Sequence, residues 1–140
     1  MSLSTYQRHL DNIPKQYQLL KLFRPPIYVI ELSNNQVSAV CYYKDGSSKR
    51  HQVNAAFSNR RMVIADFLSA VQAITDLLLK FPKHPFGISS FAVVNVTEEL
   101  IDGLTMIEIK AIREAVWAAS GQAKRRVVSS IVSYQGQVVS

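Results

Sequence analysis

Three histidines and one cysteine are the first residues to question, because imidazole and thiolate are the usual ligands of a transition metal. His9, His51 and His84 fall in separate segments, and none stands at ligand spacing from Cys41. The sequence therefore predicts no zinc site, and each histidine is expected at the surface or at a sheet edge. Cys41 is alone, so it forms no intramolecular disulfide and no Cys-x-x-Cys pair. The start MSLSTYQRHLDN lacks the basic-then-apolar order of a secretory signal, and both facts point to a reducing, cytoplasmic setting. Serines are plentiful, but none sits in a Gly-x-Ser-x-Gly nucleophile turn, and Gly103 and Gly121 are too isolated to cradle a phosphate.

Carboxylates offer a second chemistry. A two-metal nuclease needs acids that converge from the first strand, the first core helix and the end of the fourth strand. Glu31, Asp66 and Glu98 or Glu99 lie roughly where such acids would come from, and a formal charge of +6 suits a nucleic acid substrate. Against that reading, Asp66 fits simply as a carboxylate in the first turn of a helix, where the dipole favours it. The densest basic group, Lys124-Arg125-Arg126, reads as a solvated lead into a strand.

One aromatic residue suggests binding. Trp117 comes one residue after the inward-facing Val116; packing beneath a loop is its ordinary use. If it is exposed with Met106 or Ile107, the group would make an anchor for a protein partner, since aromatic anchors dominate interface energetics.

These residues must be carried by a single domain. A chain of 140 residues with 48% hydrophobic and 19% charged residues has the length and composition of one folded core. No apolar stretch approaches the roughly 20 residues that cross a bilayer. Residues 1–24 read as an N-terminal extension, partly helical, with apolar punctuation at Tyr6, Leu10, Ile13, Tyr17, Leu20 and Phe23 and a break at Pro14. Residues 25–140 read as the domain itself.

Within it, Ile27 to Leu32 is a short apolar run expected to be buried on both faces, and Val37 to Tyr43 is a second strand. Asp45-Gly46 carries turn chemistry that leads to a third strand over Lys49 to Ala55, at the edge of the sheet. From residue 62 to 81 the period becomes helical, through Val63, Ile64, Phe67, Leu68, Val71, Ile74, Leu78 and Phe81. Lys83 to Ser89 is a loop, and Phe91 to Val96 a central strand. Thr105-Met106-Ile107-Glu108 is a capping-box pattern that opens a second helix, with Ile109, Ile112 and Val116 inward, a Lys110 and Glu114 ion pair, and Gly121 at its end. Val127 to Val132 is the last core strand, followed by a turn at Tyr134 to Gln137 and a short tail. The order β-β-β-α-β-α-β predicts an α/β fold with a mixed sheet and helices, and it is the pattern of the ribonuclease H-like, actin-type half domain.

Two segments sharpen that pattern. Val63-Ile64-Ala65-Asp66-Phe67 and Ala111-Ile112-Arg113-Glu114-Ala115, flanking a hydrophobic strand that ends at Val94-Asn95-Val96, resemble the corresponding stretches of bacterial rod-shape-determining (MreB) actin-like proteins. Leu22-Phe23-Arg24 before the first strand is similar to that family's lead into its phosphate-binding hairpin. The resemblance spans about residues 20–133 and is strongest over 62–128.

The departures matter as much. Where the family has an Asp-Leu-Gly-Thr type turn, this chain has Glu31-Leu32-Ser33-Asn34, so the glycine that lets backbone amides approach phosphate is replaced. Glu31, Ser33 and Asn34 are expected to form a degenerate phosphate hairpin. Where the family has an acidic pair and a proline beside the nucleotide cleft, this chain has Ser129-Ser130-Ile131. The residues that remain cannot hold the family's second domain.

The resemblance thus implies a scaffold that is not an enzyme and takes no cofactor, no metal and no small-molecule substrate. The expected function is a protein-binding or assembly module linked to bacterial cell shape, with a protein partner or self-association as its mode. Nucleic acid binding is the alternative from another class. A third reading is peripheral contact with the inner face of the membrane through residues 3–24.

Overall fold

The computed structural model describes residues 3–59, 63–84, 88–97, 100 and 103–139. The chain opens with α1 (Leu3–Asp11), a 3₁₀ turn at Lys15–Tyr17 and α2 (Gln18–Leu22). β1 (Ile27–Ser33), β2 (Gln36–Tyr42) and β3 (Ser48–Asn54) follow as an antiparallel meander. α3 (Phe67–Leu79) leads to β4 (Ser90–Val96), and α4 (Met106–Ala123) leads to β5 (Val127–Tyr134) and the short β6 (Gln137–Val138).

The sheet runs β3-β2-β1-β4-β5-β6. β1, β4 and β5 are parallel, joined through the two long helices, and β2 is antiparallel to β1. An antiparallel meander that feeds helix-linked parallel strands in this order is the ribonuclease H-like fold in its actin-type half-domain form.

The two faces of the sheet are covered unequally. Side chains alternate along a strand, so Tyr28, Ile30 and Leu32 of β1 share one face with Val37, Ala39 and Cys41 of β2 and with Ala92, Val94 and Val96 of β4. α3 and α4 pack on that face with Ile74, Leu77, Leu78, Ile112 and Val116, all 5% exposed or less. Alanines at 70, 73, 115 and 119 let the helices approach closely. Each buried Leu or Ile there contributes about 1.5–3 kcal/mol.

The other face is roofed at one end only. Tyr6 and Leu10 of α1, with Ile13 just beyond it, close over Ile27 and Phe91, and Tyr6 Oη donates to Pro25 O at 2.7 Å. Beyond that cluster, Val40, Val29, Val93 and Ile131 lie side by side in the register and stay half-buried. β1 is therefore not buried on both faces, as its apolar run predicts. The N-terminal extension supplies a lid for one row of the sheet, which is why its apolar residues are spaced as they are.

Several local expectations are corrected. α3 begins at Phe67, because Asp66 is its N-cap and accepts from Ser69 N at 3.0 Å. Val63 and Ile64 are core residues ahead of the helix, while Phe67 and Leu68 are exposed rather than inward. The capping box at α4 is half made: Thr105 Oγ1 accepts from Glu108 N at 3.2 Å. Glu108 is itself buried, and it accepts from Val63 N at 3.4 Å, which ties the segment before α3 to the start of α4.

α4 also runs two residues past Gly121, and the left-handed cap is Lys124, at φ 57°. After β5 the expected turn is present at Gln135 and Gly136, and Gln137–Val138, expected to lead into a tail, pairs back on β5 as β6. Lys124-Arg125-Arg126 is not uniformly solvated, because Arg125 is buried and donates to main-chain carbonyls.

Candidate functional site

The hairpin between β1 and β2 is where the sequence places a degenerate phosphate site. Ser33 and Gln36 close its register, and Asn35 takes the left-handed conformation at φ 53°, which an asparagine tolerates better than most residues. Asn35 Oδ1 accepts from both Phe57 N and Ser58 N at 2.9 Å. Its own N–H donates to Ser58 Oγ at 2.8 Å, and Ser58 Oγ also reaches Asn34 Oδ1 at 2.9 Å. The amide that a phosphate would need at this turn is already engaged inside the protein. Asn35 and Ser58, which the sequence reading passed over, matter more here than Ser33.

The acids of the nuclease reading are not brought together. Glu31 pairs in register with Ser38 and Asn95 on the α1 side of the sheet, whereas Asp66 caps α3 on the opposite side. Glu98 and Glu99 lie outside the described residues. Ser69 N–H holds the exposed Asp66 carboxyl below its ordinary range, as capping requires of a charged carboxylate.

His84 is not an ordinary surface histidine. Its Nδ1 lies 2.8 Å from Ile88 O and its Nε2 2.8 Å from the hydroxyl of Tyr28. A carbonyl can only accept, so Nδ1 carries the proton and Nε2 accepts from Tyr28. Burial lowers the His84 pKa, in keeping with that neutral ring. Burial also pushes the Cys41 thiol up to about 12, so it stays protonated and inert. His9 stacks on Tyr42 at 4.9 Å between ring centres, and His51 meets the edge of Phe81 at 4.8 Å. Among the described residues no group of three or more His, Cys, Asp or Glu could hold a metal ion.

The residues singled out as a partner anchor are displayed on α4. Met106, Ile107 and Trp117 are 77%, 79% and 61% exposed. At 100° per residue, Met106, Lys110, Arg113 and Trp117 share one stripe, and Ile107 stands about a quarter-turn away. That stripe forms one wall of a groove of about 400 Å³, with Ile109, Val116 and Val127 as its floor and Val128 to Ser130 of β5 as the other wall. Met106 and Trp117 are thus brought to one site, and Ile107 is not.

Cations rim the groove. Lys110 is partnered by Glu114 at 3.9 Å, and the Arg126 guanidinium lies 5.9 Å from the centre of the Trp117 ring, within cation–π range. Arg126 was legible in the sequence only as one of a basic trio. The buried Arg125 beside it makes the trio alternate, as the start of a strand requires.

No protein-family model matches the chain, and no curated protein matches it. Among solved structures, the chain is similar to the PPX-GPPA enzyme of Aquifex aeolicus, at 13% identity and a TM-score of 0.39, over 76% of this chain. The chain spans 36% of the length of that structure. The expectation that this chain is not an enzyme is withdrawn on this finding, because the protein matched is one. Its reaction is not carried over.

Proposed function

We propose that the chain is a protein-docking module on an actin-type half domain, and that α4 is its docking face. The observation that carries this reading is the exposure of Met106 and Trp117 on one stripe of a long helix, above an apolar groove. Large apolar side chains held that far into water cost solvation and are characteristic of surfaces that meet a partner. The link to bacterial cell shape rests on the resemblance of Val63–Phe67 and Ala111–Ala115 to rod-shape-determining proteins.

The test is site-specific photo-crosslinking in the native cell, with a benzophenone side chain at position 117 and, as control, at Leu68, which is 78% exposed on α3. A discrete adduct from position 117 alone, lost in Met106→Ser, is the expected result. The same adducts from both positions would sink the reading.

A second reading concerns α2. The apolar side of α1 is spent on Ile27 and Phe91, but Leu19, Leu22 and Phe23 are 77%, 78% and 62% exposed, with Lys21 and Arg24 interleaved. Apolar residues flanked by cations suit the surface of an anionic membrane. Co-sedimentation with vesicles containing phosphatidylserine should fall in Leu22→Ser with Phe23→Ser. Binding that survives both substitutions excludes the segment.

A further inference from the structure

A second pocket lies at the end of the sheet where β1 begins, opposite the β1–β2 hairpin, and it shares no lining residue with the α4 groove. It holds about 440 Å³, within the roughly 300–1,000 Å³ of small-molecule sites. Its apolar lining is Phe23, Pro25, Pro26, Tyr43, Pro82 and Ile88. Hydrogen bonds from elsewhere in the fold hold several of these walls in place. Tyr6 Oη donates to Pro25 O, and Phe91 N–H donates to Pro26 O at 3.4 Å. Tyr43 N–H donates to Ser47 O and Tyr43 O accepts from Gly46 N–H, both at 3.0 Å, which fixes the turn between β2 and β3. A site formed in advance loses little ordering entropy when it is filled.

Arg24, Lys44 and Lys49 also line the pocket, and among the described residues none of them has a carboxylate partner. The guanidinium of Arg24 lies 5.4 Å from the centre of the Tyr6 ring, which steadies the charge without neutralising it. Asp45 is the single carboxylate among the described lining residues, and its Oδ1 accepts from Ser47 N–H at 2.8 Å and from Ser47 Oγ at 2.5 Å. Three cations thus stand against one carboxylate that is already hydrogen-bonded. We infer that this pocket binds a small aromatic anion, with its ring against Phe23, Tyr43 and the prolines and its charged head at Arg24, Lys44 and Lys49.

The uncharged polar groups of the lining favour a hydrocarbon body. The hydroxyl of Ser47 and the carbonyls of Pro25, Pro26, Tyr43 and Ile88 are already engaged within the protein. A heterocyclic base would bury donors and acceptors against these walls and lose its hydration without replacement. A flat hydrocarbon ring asks for no such partners and lies well against aromatic faces. An acyl chain would fill the same volume, but it gives up more rotamer freedom on entering than a rigid ring does.

The experiment is isothermal titration of the intact protein with naphthoate, with naphthalenemethanol, decanoate, inorganic phosphate and ATP run in parallel. The expected result is one naphthoate bound per chain, with an affinity that falls about tenfold or more in Lys49→Glu and for the neutral alcohol, since each removes a charge pair. Phe23→Ser should weaken it as well. Lys49 and Phe23 are exposed, so both variants should fold, and thermal unfolding checks this. Arg113→Glu changes the net charge by the same amount but lies in the α4 groove, and it should leave the affinity unchanged. Equal losses in Arg113→Glu and Lys49→Glu would overturn the site and leave only the attraction of a basic protein for anions. Equal binding of the alcohol, tighter binding of decanoate, phosphate or ATP, or no binding of naphthoate would each overturn the assignment.

Discussion

Arg125 places Nε and Nη2 on the carbonyl oxygen of Phe81, at 3.2 and 2.9 Å, and Nη1 on that of Ala123 at 2.7 Å. One buried guanidinium thus joins the chain just past α3 to the last residue of α4. Ala123 O belongs to a helix end, where acceptors have no partner within the helix, and Phe81 O lies just beyond the cap of α3.

Replacing this residue should be costly for a reason specific to its fork. Arg125→Met keeps much of the apolar stem but leaves the carbonyls of Phe81 and Ala123 unsatisfied. A loss of about 2–3 kcal/mol is expected in urea denaturation. Arg125→Lys should recover only part of it, since an ammonium cannot span two carbonyls as a planar fork does.

His84 predicts a direction of pH dependence. Its pKa in the fold is below the ordinary 6.5, with burial as the main cause and Arg125 as a further one. The unfolded chain therefore takes up the proton first as pH falls. The contribution is complete above 6.5 and drains away as pH drops below that value toward the folded one. His9, also lowered by burial, acts in the same sense. Denaturation midpoints measured across this range should fall with acid, and the slope should flatten in His84→Gln.

Asn35→Gly keeps the left-handed turn but removes the oxygen that receives Phe57 N–H and Ser58 N–H. About 1–2 kcal/mol of stability should be lost. Amide hydrogen exchange at Phe57 and Ser58 should quicken, and unchanged protection there would disprove the pairing.

Gly121 sits inside α4 rather than at its end, and a methyl group built on it would meet Arg126 Nη2 at an ordinary 3.7 Å. Gly121→Ala should therefore stabilise the protein by about 0.5–1 kcal/mol. Thermal unfolding reads this directly; a lowered midpoint would show that the neighbouring side chain cannot give way.

Trp117→Ala should leave the fold nearly unchanged, with a loss of no more than about 1 kcal/mol from its contact with Arg126. Circular dichroism and thermal unfolding supply the check. A collapse on this substitution would mean that the ring is structural.

The strand order was legible because the apolar runs, the Asp45-Gly46 turn and the helical period around Ile74 are local signals that the tertiary structure did not overrule. Less legible were features that depend on what lies across the sheet. Periodicity alone could not show that Asp66 caps α3 and strands Leu68 outside, or that Glu108 turns inward to Val63. The coverage of β1 depended on how far α1 reaches, which no pattern within Ile27 to Leu32 records. At the candidate site, Trp117 and Met106 were visible as types and spacing. The groove beside them was not, because it depends on how α4 sits against β5.

The β3 border of the sheet bears on assembly. β3 presents Lys49, Arg50 and Gln52 to solvent, and charged side chains of this kind discourage further pairing at that border. A border guarded in this way offers no template at β3 from which copies of the sheet could stack into fibres.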